Sequence, residues 1–379
     1  MKKILLLSLS MSMASTMMAD LTGAGYYRVE NYVTKRYISV IDNRGRIDFG
    51  STSADLQAIR LDRNFDNVCC DPASILYIQP VGGEYNISAQ GTSVYDIIDH
   101  YVSLEENGSS GGQKLYMAYG KYNGATRYLG DQTSATIVDE GKMSINCRGD
   151  YRKWYILPVE AESSNFFGVK PSVSATSGEY AGLYATVFGS FPMTPFSSGV
   201  KIYTVDKVAD MGLVTLKELT GVVPSKTPVI VKCDSEQTAD NRVSVGGESV
   251  TVSVNPSLKG AFFDCDISGH VNRVAYDPDT MRVLGVCEDG SLGFITSDID
   301  FIPANTVYLT VPAGSPAEYK IVDDETYIAG VDEIDGEAAL KTVYTLTGIK
   351  VGMNLTASDL RSLPSGIYIV NGRKVALGF

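Results

Sequence analysis

The stretch Ile75-Leu76-Tyr77-Ile78 recurs as Lys114-Leu115-Tyr116-Met117 and again as Lys153-Trp154-Tyr155-Ile156. The tyrosines of the three copies follow one another at equal intervals along the chain. Each copy is short, mainly apolar and rich in residues that favour β-strands. A fixed period of this size indicates a repeated supersecondary unit. We therefore read three units, about 26 to 81, 82 to 120 and 121 to 159, each ending in one of these strands.

A second tyrosine motif lies inside each unit, as Arg36-Tyr37-Ile38-Ser39-Val40, Glu84-Tyr85-Asn86-Ile87-Ser88 and Arg127-Tyr128-Leu129-Gly130-Asp131. Three β-units of this length that close on themselves resemble the ricin-type β-trefoil family, from the start of the first unit to the end of the third. Arg152-Lys153-Trp154 stands where that family has its last Gln-x-Trp signature. The resemblance implies a β-trefoil-like domain over residues 20–160. Alternation along the strands predicts that the three equally spaced tyrosines are core residues.

One polar loop follows the second tyrosine motif in each unit, and these loops are the candidate ligand-binding positions. The first loop contains Asp42-Asn43, the third contains Asp131-Gln132 after Tyr128, and the second lies around Gln90. A tyrosine ring beside a carboxylate and an amide suits a sugar, because hydroxyls need paired hydrogen-bonding groups and the apolar sugar face stacks on the ring. The alternative is that Asp and Asn only build the hairpin turns.

The region from Phe166 to about residue 330 contains many short strand patterns, among them Gly182 to Val187, Val250 to Val254 and Thr306 to Leu309. The turn residues between the strands favour a sandwich or a barrel. The sequence thus predicts an all-β protein whose middle domain, residues 166–330, is β-sandwich-like. Ahead of this domain, Ala161 to Asn165 is small and polar and predicts a linker.

The last part of the chain, residues 331–379, is a predicted small β-module. Its strands begin near Val343 and Ile367, and Asn371-Gly372 between alternating apolar residues is a strong hairpin signal. The strand from Ile367 is expected to bury its apolar face against the middle domain. The pattern resembles the C-terminal sorting domains of type IX secretion cargo, which implies export to the extracellular space or outer surface of a Gram-negative bacterium. Whether the module is cleaved, or is only a structural β-module, stays open.

Residues Met1 to Ala19 have the layout of a secretory signal peptide, with two lysines followed by a run from Ile4 to Leu9 that is apolar except for Ser8. No later segment approaches the roughly 18 unbroken apolar residues that a membrane-spanning helix needs. The formal charge of −12 argues against nucleic acid as a partner, because nucleic acid requires a basic face.

The sequence contains no recognised metal, cofactor or catalytic motif. It has no CxxC pair, no P-loop and only two histidines, His100 and His270. Asp264-Cys265-Asp266 has the carboxylate spacing of a calcium loop but lacks its closing Glu, so we interpret it as a turn. No catalytic residue, metal ligand or cofactor is therefore assigned. Six cysteines allow up to three disulfides in an exported chain, and their spacing leaves the pairing open.

These features favour an exported, non-catalytic surface protein for adhesion or carbohydrate recognition, with glycans or a host or cell-surface protein as partner. Two alternatives stay open. A secreted hydrolase would use the trefoil as an accessory module and would need two carboxylates about 5–9.5 Å apart in a cleft. A structural subunit of a fimbria or matrix would instead show an exposed apolar strand edge or groove.

Overall fold

The computed structural model describes residues 21, 23–42, 59–93, 102–132, 140–144, 147–209, 212–267, 270–323, 341–355, 359–360, 362–370 and 373–377. Within these ranges the regular secondary structure is almost entirely β-strand, and every helix is short. The predicted all-β class is therefore confirmed. The predicted signal segment, Met1 to Ala19, lies outside the described residues.

The first sheet contains twelve of the described strands. They are β1 (Gly25–Asn31), β2 (Tyr37–Val40), β3 (Ile59–Asp62), β4 (Leu76–Val81), β5 (Glu84–Ala89), β6 (Thr92–Ser93), β7 (Ser103–Ser110), β8 (Gln113–Tyr122), β9 (Ala125–Tyr128), β10 (Gly130–Gln132), β11 (Glu140–Ser144) and β12 (Lys153–Pro158). Helix α1 (Phe65–Val68) and 3₁₀ turns at Pro72–Ser74 and Gly149–Arg152 lie between them. Helix α1 begins after Asn64, whose side-chain oxygen accepts the N–H of Asp66.

This sheet closes on itself as a barrel. β1 pairs with β12 on one side and with β4 on the other, and β4 continues to β5. The backbone of Tyr85 in β5 exchanges two 2.8 Å hydrogen bonds with Val102, which directly precedes β7. β7 pairs with β8 and β8 with β12, so the ring returns to β1. The hairpins β2–β3 and β10–β11 pair through β3 and β11, and the whole is β-trefoil-like.

The barrel interior shows which way each repeated strand faces. Leu76 of β4, Tyr116 of β8 and Trp154 of β12 belong to the same buried core. Tyr77 is only half-buried, and Tyr155 is buried in a separate cluster. Of the three tyrosines predicted as core residues, only Tyr116 therefore points into the barrel. Side chains alternate between the two faces of a strand. The equal spacing of the tyrosines therefore predicts where the strands lie, but not which residue of each strand points into the barrel.

The middle region has one long sheet, one short sheet and a two-stranded hairpin. The long sheet contains β14 (Val173–Ala175), β15 (Gly182–Val187), β17 (Lys201–Ala209), β18 (Leu213–Glu218), β19 (Val229–Cys233), β21 (Leu258–Ala261), β24 (Met281–Val286), β25 (Leu292–Ile295), β26 (Thr306–Thr310) and β27 (Glu318–Val322). The short sheet contains β13 (Phe167–Gly168), β16 (Met193–Pro195) and β20 (Arg242–Val245), and the hairpin contains β22 (Asp266–Ile267) and β23 (His270–Val271). A 3₁₀ turn spans Thr238–Asp240, and β18 pairs with β27 in parallel.

Alternation along the central strands gives the long sheet two buried faces. In β19, Val229 and Val231 lie in the core shared with the short sheet, whereas Ile230 lies in a core made by both halves of the long sheet. This layering is β-sandwich-like, as predicted. The predicted strand Gly182 to Val187 is confirmed with its bounds. The strand predicted at Val250 to Val254 is wrong, because these residues belong to no sheet.

The segment Ala161 to Asn165 connects the two regions, and it is held firmly. Asn165 is 3% exposed, and its amide donates to the carbonyls of Leu157 at 3.0 Å and Pro158 at 2.8 Å. Ser163 is also buried. The segment predicted as a linker is therefore a fixed connection: its buried polar residues Ser163 and Asn165 find hydrogen-bonding partners inside the protein, whereas Glu162 and Ser164 are exposed.

The tail is a four-stranded sheet of β28 (Lys341–Thr345), β29 (Lys350–Leu355), β30 (Gly366–Val370) and β31 (Arg373–Leu377), in the order β29-β28-β30-β31. The antiparallel pairing of β30 with β31 confirms the predicted hairpin, although its turn residues lie outside the described ranges. Tyr368 and Val370 share a core with Leu213 and Val322 of the middle region. The expected burial of the tail against the middle domain is thus confirmed.

Candidate functional site

A cleft of about 450 Å³ opens on the outside of the barrel, beside the connection to the middle region. We name it the junction cleft. Its walls come from β1, β2, α1, the β7–β8 turn, β12 and the connecting segment. It is lined by Glu30, Lys35, Tyr37, Phe65, Ser110, Gly111, Gln113, Tyr155, Leu157, Ser164 and Asn165.

A tight turn between β1 and β2 presents Lys35 to the junction cleft. The side-chain oxygen of Asn31 accepts hydrogen bonds from the N–H groups of Val33 at 3.0 Å and Thr34 at 3.1 Å. The Asn31 amide donates at 2.8 Å to the carbonyl of Tyr151, which ties the turn to the third unit. Lys35 has a φ of 60°, a conformation that a non-glycine residue adopts rarely. The backbone of the turn therefore fixes the position of the Lys35 Cα and the direction in which its side chain leaves the backbone.

The Lys35 ammonium lies against both a carboxylate and aromatic rings. Its Nζ is 3.3 Å from Glu30 Oε1, and it lies 4.5 Å from the ring centre of Tyr155. A cation over an aromatic face is a favourable contact. The Lys35 side chain is 54% exposed and that of Glu30 is 13% exposed. In the junction cleft the Lys35 ammonium is therefore an exposed hydrogen-bond donor, and the Glu30 carboxylate beside it is an acceptor that is largely shielded from solvent.

Tyr37 fixes the position of the Glu30 carboxylate. The two residues are directly opposite each other on β1 and β2. Burial raises the pKa of Tyr37 well above its usual range, and the charge and hydrogen bond of Glu30 raise it further. The phenol therefore stays protonated and donates to the carboxylate. The ring of Phe65 lies beside that of Tyr37, with centres 5.8 Å apart, and extends the aromatic wall.

A fully buried arginine holds the back of the junction cleft. Arg28 donates from Nε to Ser74 Oγ at 2.8 Å, and from Nη1 to Asn165 Oδ1 at 3.0 Å and the Phe166 carbonyl at 2.7 Å. Its guanidinium lies 5.7 Å from the ring centre of Phe65. Burial lowers the pKa of Arg28 to about 10, so the group stays charged near neutral pH. One buried cation thus positions two residues of the cleft wall, Phe65 and Asn165.

The predicted ligand residue Asp131 is fully buried. Its Oδ2 lies 2.9 Å from Arg36 Nη1 and accepts a hydrogen bond from the Thr34 hydroxyl. Both side chains of the ion pair are at most 1% exposed, and the pair ties the first unit to the third. The expected open shelf at Asp131 is therefore corrected: in this position the carboxylate stabilises the barrel and does not face a ligand at the surface.

Two of the other predicted ligand residues, Asp42 and Tyr128, are not part of the lining of the junction cleft. Asp42 is fully buried, and Asn43 lies outside the described residues. Tyr128 is half-buried, with the Arg152 guanidinium 4.4 Å from its ring centre. The side chain of Gln132 is outside the described part of the chain. A ligand-binding role for Tyr128, Asn43 and Gln132 stays a prediction.

The second predicted shelf, around Gln90, is a contact between the trefoil-like domain and the middle region. Gln90 Nε2 donates to Asn305 Oδ1 at 2.8 Å, and Asn305 Nδ2 donates back to Gln90 Oε1 at 2.9 Å. Gln90 is 3% exposed and Asn305 is 6% exposed. Gln90 therefore joins two parts of the protein and has no open face for a ligand.

A second cavity, of about 280 Å³, lies where the trefoil-like domain meets the middle region, and Cys70 and Cys265 line it. All six cysteines are free thiols. A hydrogen bond from the Cys69 thiol lowers the pKa of Cys70 to about 7. Burial raises the pKa of Cys265, as does the charge of Asp264. Cys70 is therefore the thiol of this cavity that ionises first.

Among the described residues, no group of three His, Cys, Asp or Glu side chains is arranged to hold a metal ion. No helix in the described part of the chain has the length and apolar character to span a membrane. Within the described lining of the junction cleft, Glu30 is the only carboxylate.

No family model and no curated protein matches this chain. One similar solved structure is that of a mosquitocidal holotoxin, at 10% identity and a TM-score of 0.25. The alignment covers 86% of this chain and 36% of the toxin chain. A likeness at this TM-score supports no conclusion, so both fold and function rest on the geometry described above.

Sequence reasoning missed the junction cleft. Glu30, Lys35 and Tyr37 lie within one hairpin, and Glu30 and Tyr37 are directly opposite each other on its two strands. Directly opposite residues lie on the same face of a sheet, so this hairpin carried a signal that the sequence alone contains. Gln113 and Asn165 come from distant segments that meet only when the barrel is closed. No short motif links these five residues, so tertiary structure was needed to assemble the site.

Proposed function

We propose that this protein is an exported, non-catalytic surface protein that recognises carbohydrate through the junction cleft. The observation that carries the proposal is the mixed chemistry of the cleft walls. Tyr37 and Phe65 supply half-buried aromatic surface, and Glu30 and Lys35 supply an acceptor and a donor. A saccharide presents apolar ring faces together with many hydroxyls, and such walls complement both.

The charge balance of the junction cleft favours a neutral saccharide. Lys35 and Glu30 form an ion pair, so the two charges cancel while each remains able to bond a hydroxyl. Hydrogen bonds to charged groups contribute about 1.5–3 kcal/mol each. The volume of about 450 Å³ falls within the usual range of small-molecule sites, which leaves room for a short saccharide.

Export to the outer surface is part of the same proposal. It is supported by the signal-type segment Met1 to Ala19 and by the resemblance of residues 331–379 to sorting domains. The strongly acidic composition suits a soluble protein outside the cell. A surface glycan is then the partner that the junction cleft would meet.

The hydrolase alternative makes a different demand on the same cleft. Glycoside hydrolysis by the common mechanism uses two carboxylates. The described lining of the junction cleft supplies only Glu30, and Tyr37 and Lys35 already bond to it. This composition favours binding over hydrolysis at this site.

The test is a glycan array with the full chain, followed by calorimetric titration of any neutral saccharide that binds. Glu30→Gln keeps the shape of the side chain but removes its charge, and we expect about tenfold weaker binding. Tyr37→Phe should weaken binding less, because it removes only the hydroxyl that orients Glu30.

Tyr128→Phe is the matched control, since it removes a tyrosine hydroxyl on the same barrel away from the junction cleft. It should leave the affinity unchanged. Binding lost in Tyr128→Phe but kept in Glu30→Gln would move the site to the predicted third shelf. An array without any bound glycan would reject the carbohydrate proposal.

A further inference from the structure

Three of the six cysteines lie where the trefoil-like domain meets the middle region. Cys69 and Cys70 directly follow helix α1, and Cys70 lines the cavity of about 280 Å³ at this boundary. Cys265, from the middle region, lines the same cavity. We name it the thiol cavity. All three thiols are free, so the boundary holds a cluster of nucleophilic side chains that the proposed function does not use.

The end of helix α1 holds the sulfurs of Cys69 and Cys70 side by side. Cys69 Sγ lies 3.6 Å and Cys70 Sγ lies 3.5 Å from the carbonyl oxygen of Asp66, and the two thiols are within hydrogen-bonding distance of each other. Cys69 is 3% exposed, and its carbonyl accepts the N–H of Gly168 at 3.0 Å, whereas Cys70 is half-buried. Cys69 is thus fixed in the interior, and Cys70 is the thiol of the pair that a small molecule in the thiol cavity can reach.

The surroundings of Cys70 favour its thiolate, which is the reactive form of a cysteine. The hydrogen bond from Cys69 lowers the pKa of Cys70 to about 7, against burial and a neighbouring carboxylate, and the Lys170 ammonium acts in the same direction as the hydrogen bond. Burial raises the pKa of the other two half-buried thiols, Cys147 and Cys265. Among the three half-buried cysteines, Cys70 therefore has the largest thiolate fraction near neutral pH.

We propose that Cys70 is a modification site that takes up a low-molecular-weight thiol from the disulfide of that thiol, and that the thiol cavity holds the attached group. The Cys70 thiolate attacks one sulfur of the small disulfide, and a new S–S bond forms to Cys70 Sγ. The old S–S bond breaks, and its electron pair leaves with the departing sulfur. That sulfur takes up the proton that Cys70 lost, so Cys70 is oxidised and the departing half of the small disulfide is reduced to a thiol.

The mixed disulfide on Cys70 persists because both neighbouring thiols are poorly placed to displace the attached group. Cα atoms of adjacent residues are about 3.8 Å apart, closer than the roughly 4.4 Å at which ordinary disulfide geometry begins, so a bond between Cys69 and Cys70 is disfavoured. Cys265 stays protonated, because burial and the charge of Asp264, whose Oδ1 lies 3.5 Å from Cys265 Sγ, raise its pKa. A protonated thiol attacks a disulfide slowly.

The test is incubation of the folded full chain with glutathione disulfide near neutral pH, followed by peptide mass spectrometry of each cysteine. We expect the mixed disulfide to form about tenfold faster on Cys70 than on Cys147 or Cys265, because a lower thiol pKa raises the thiolate fraction more than it lowers the nucleophilicity. Cys69→Ala should slow the reaction at Cys70 about threefold, since it removes the hydrogen bond that favours the thiolate. Cys147→Ser is the matched control: it removes a half-buried thiol outside the lining of the thiol cavity and should leave the rate at Cys70 unchanged.

Three results would overturn the proposal. The first is a reaction at Cys147 or Cys265 that is as fast as the reaction at Cys70. The second is a disulfide from Cys70 to Cys69 or to Cys265 in place of the mixed disulfide, which would make the cluster an internal cross-link. The third is an equal rate at Cys70 in the wild type and in Cys69→Ala, which would show that the adjacent thiol does not activate Cys70.

Discussion

The two junctions of this protein hold their neighbours by different means. At the first junction, Arg28 of the trefoil-like domain donates to Asn165 Oδ1 in the connecting segment and to the Phe166 carbonyl of the middle region, and Gln90 exchanges two amide hydrogen bonds with Asn305. Between the middle region and the tail, the described core is apolar and includes Leu213 of the middle region and Leu377 of the tail. Hydrogen bonds fix an orientation, whereas apolar contacts are non-directional. The relative orientation of the two regions at the first junction is therefore set by directional hydrogen bonds, and the contact at the second junction is stabilised by burial of apolar side chains.

The junction that is held by hydrogen bonds is the one that lies beside the candidate site. The junction cleft takes Asn165 from the first junction as part of its wall, so its shape depends on how the two domains meet. The second junction has a cleft of about 230 Å³ that opens to solvent near Ile367 and Ala376. Close control of orientation is thus found beside the candidate site, whose wall includes Ser164 and Asn165 of the connecting segment.

The largest effect is expected from Arg28→Met at the first junction. Four acceptors would lose their donor, and each buried unsatisfied group costs about 1–3 kcal/mol. We expect the free energy of unfolding to fall by about 4 kcal/mol, measured by denaturant titration of the full chain. Arg28→Lys keeps the charge but not the planar fork, so it should recover only part of the loss. A change below about 1 kcal/mol in Arg28→Met would contradict this view of the junction.

A smaller loss is expected from Leu377→Ala at the second junction. Leu377 is fully buried in the core shared with the middle region. Truncation of a buried leucine costs about 2–5 kcal/mol, and the neighbouring cleft lets the site relax, so we expect about 3 kcal/mol. Met353→Ala, at an exposed position of the same sheet, is the control and should change the same titration by less than about 0.5 kcal/mol. Equal losses in both variants would refute the shared core.

Gln90→Ala should cost about 2 kcal/mol, because it leaves the buried amide of Asn305 without its partner. The double variant Gln90→Ala with Asn305→Ala should lose less than the sum of the two single variants, since the second change removes the unsatisfied group. Thermal unfolding of the four proteins measures this coupling. Strictly additive losses would show that the amide pair does not couple the domains.

The smallest effect is expected from pH at the second junction. Lys320 lines its cleft and bonds to Asp289, and this bond, followed by that of Ser291, lowers the pKa of Asp289 to about 2. Because the pKa of Asp289 is lower in the folded state, its carboxylate stabilises the folded protein at pH values above its unfolded pKa, which is about 4. This contribution is lost as the pH falls through about 2. The Asp289 side chain is 50% exposed, so we expect less than about 1 kcal/mol.

Denaturant titrations at about pH 5 and about pH 2.5 measure this contribution, with Asp289→Asn as the comparison. The variant should lose less stability between the two pH values than the wild type. The same loss in both proteins would place the acid sensitivity elsewhere.

The strands of the barrel could be predicted from sequence, but not their facing. Each strand is a local apolar pattern, and the equal spacing of the tyrosines reveals the repeat. The inward residue is the tyrosine itself in the second copy, Tyr116, but the residue before it in the first and third, Leu76 and Trp154. A shift of one residue moves a side chain to the other face, and the loops that cause the shift carry no local signal.

Burial and pairing were the other limits of prediction. Val250 to Val254 alternates as a strand should, but strand formation also needs a partner edge, which only the tertiary structure supplies. Asp131 resembled a surface turn residue because its partner Arg36 comes from another unit, far back along the chain. Long-range partners of this kind also explain why the junction cleft was not predicted.

The pairing of β1 with β12 has a consequence for how this protein folds. Tyr27 lies opposite Pro158 in this ladder, so the first and last strands of the barrel meet across all the chain between them. Contacts of such high sequence separation form slowly, because a long loop must close first. A chain emerging N-terminus first cannot complete its barrel until Pro158 has appeared, and β1 waits with one edge unpaired until then.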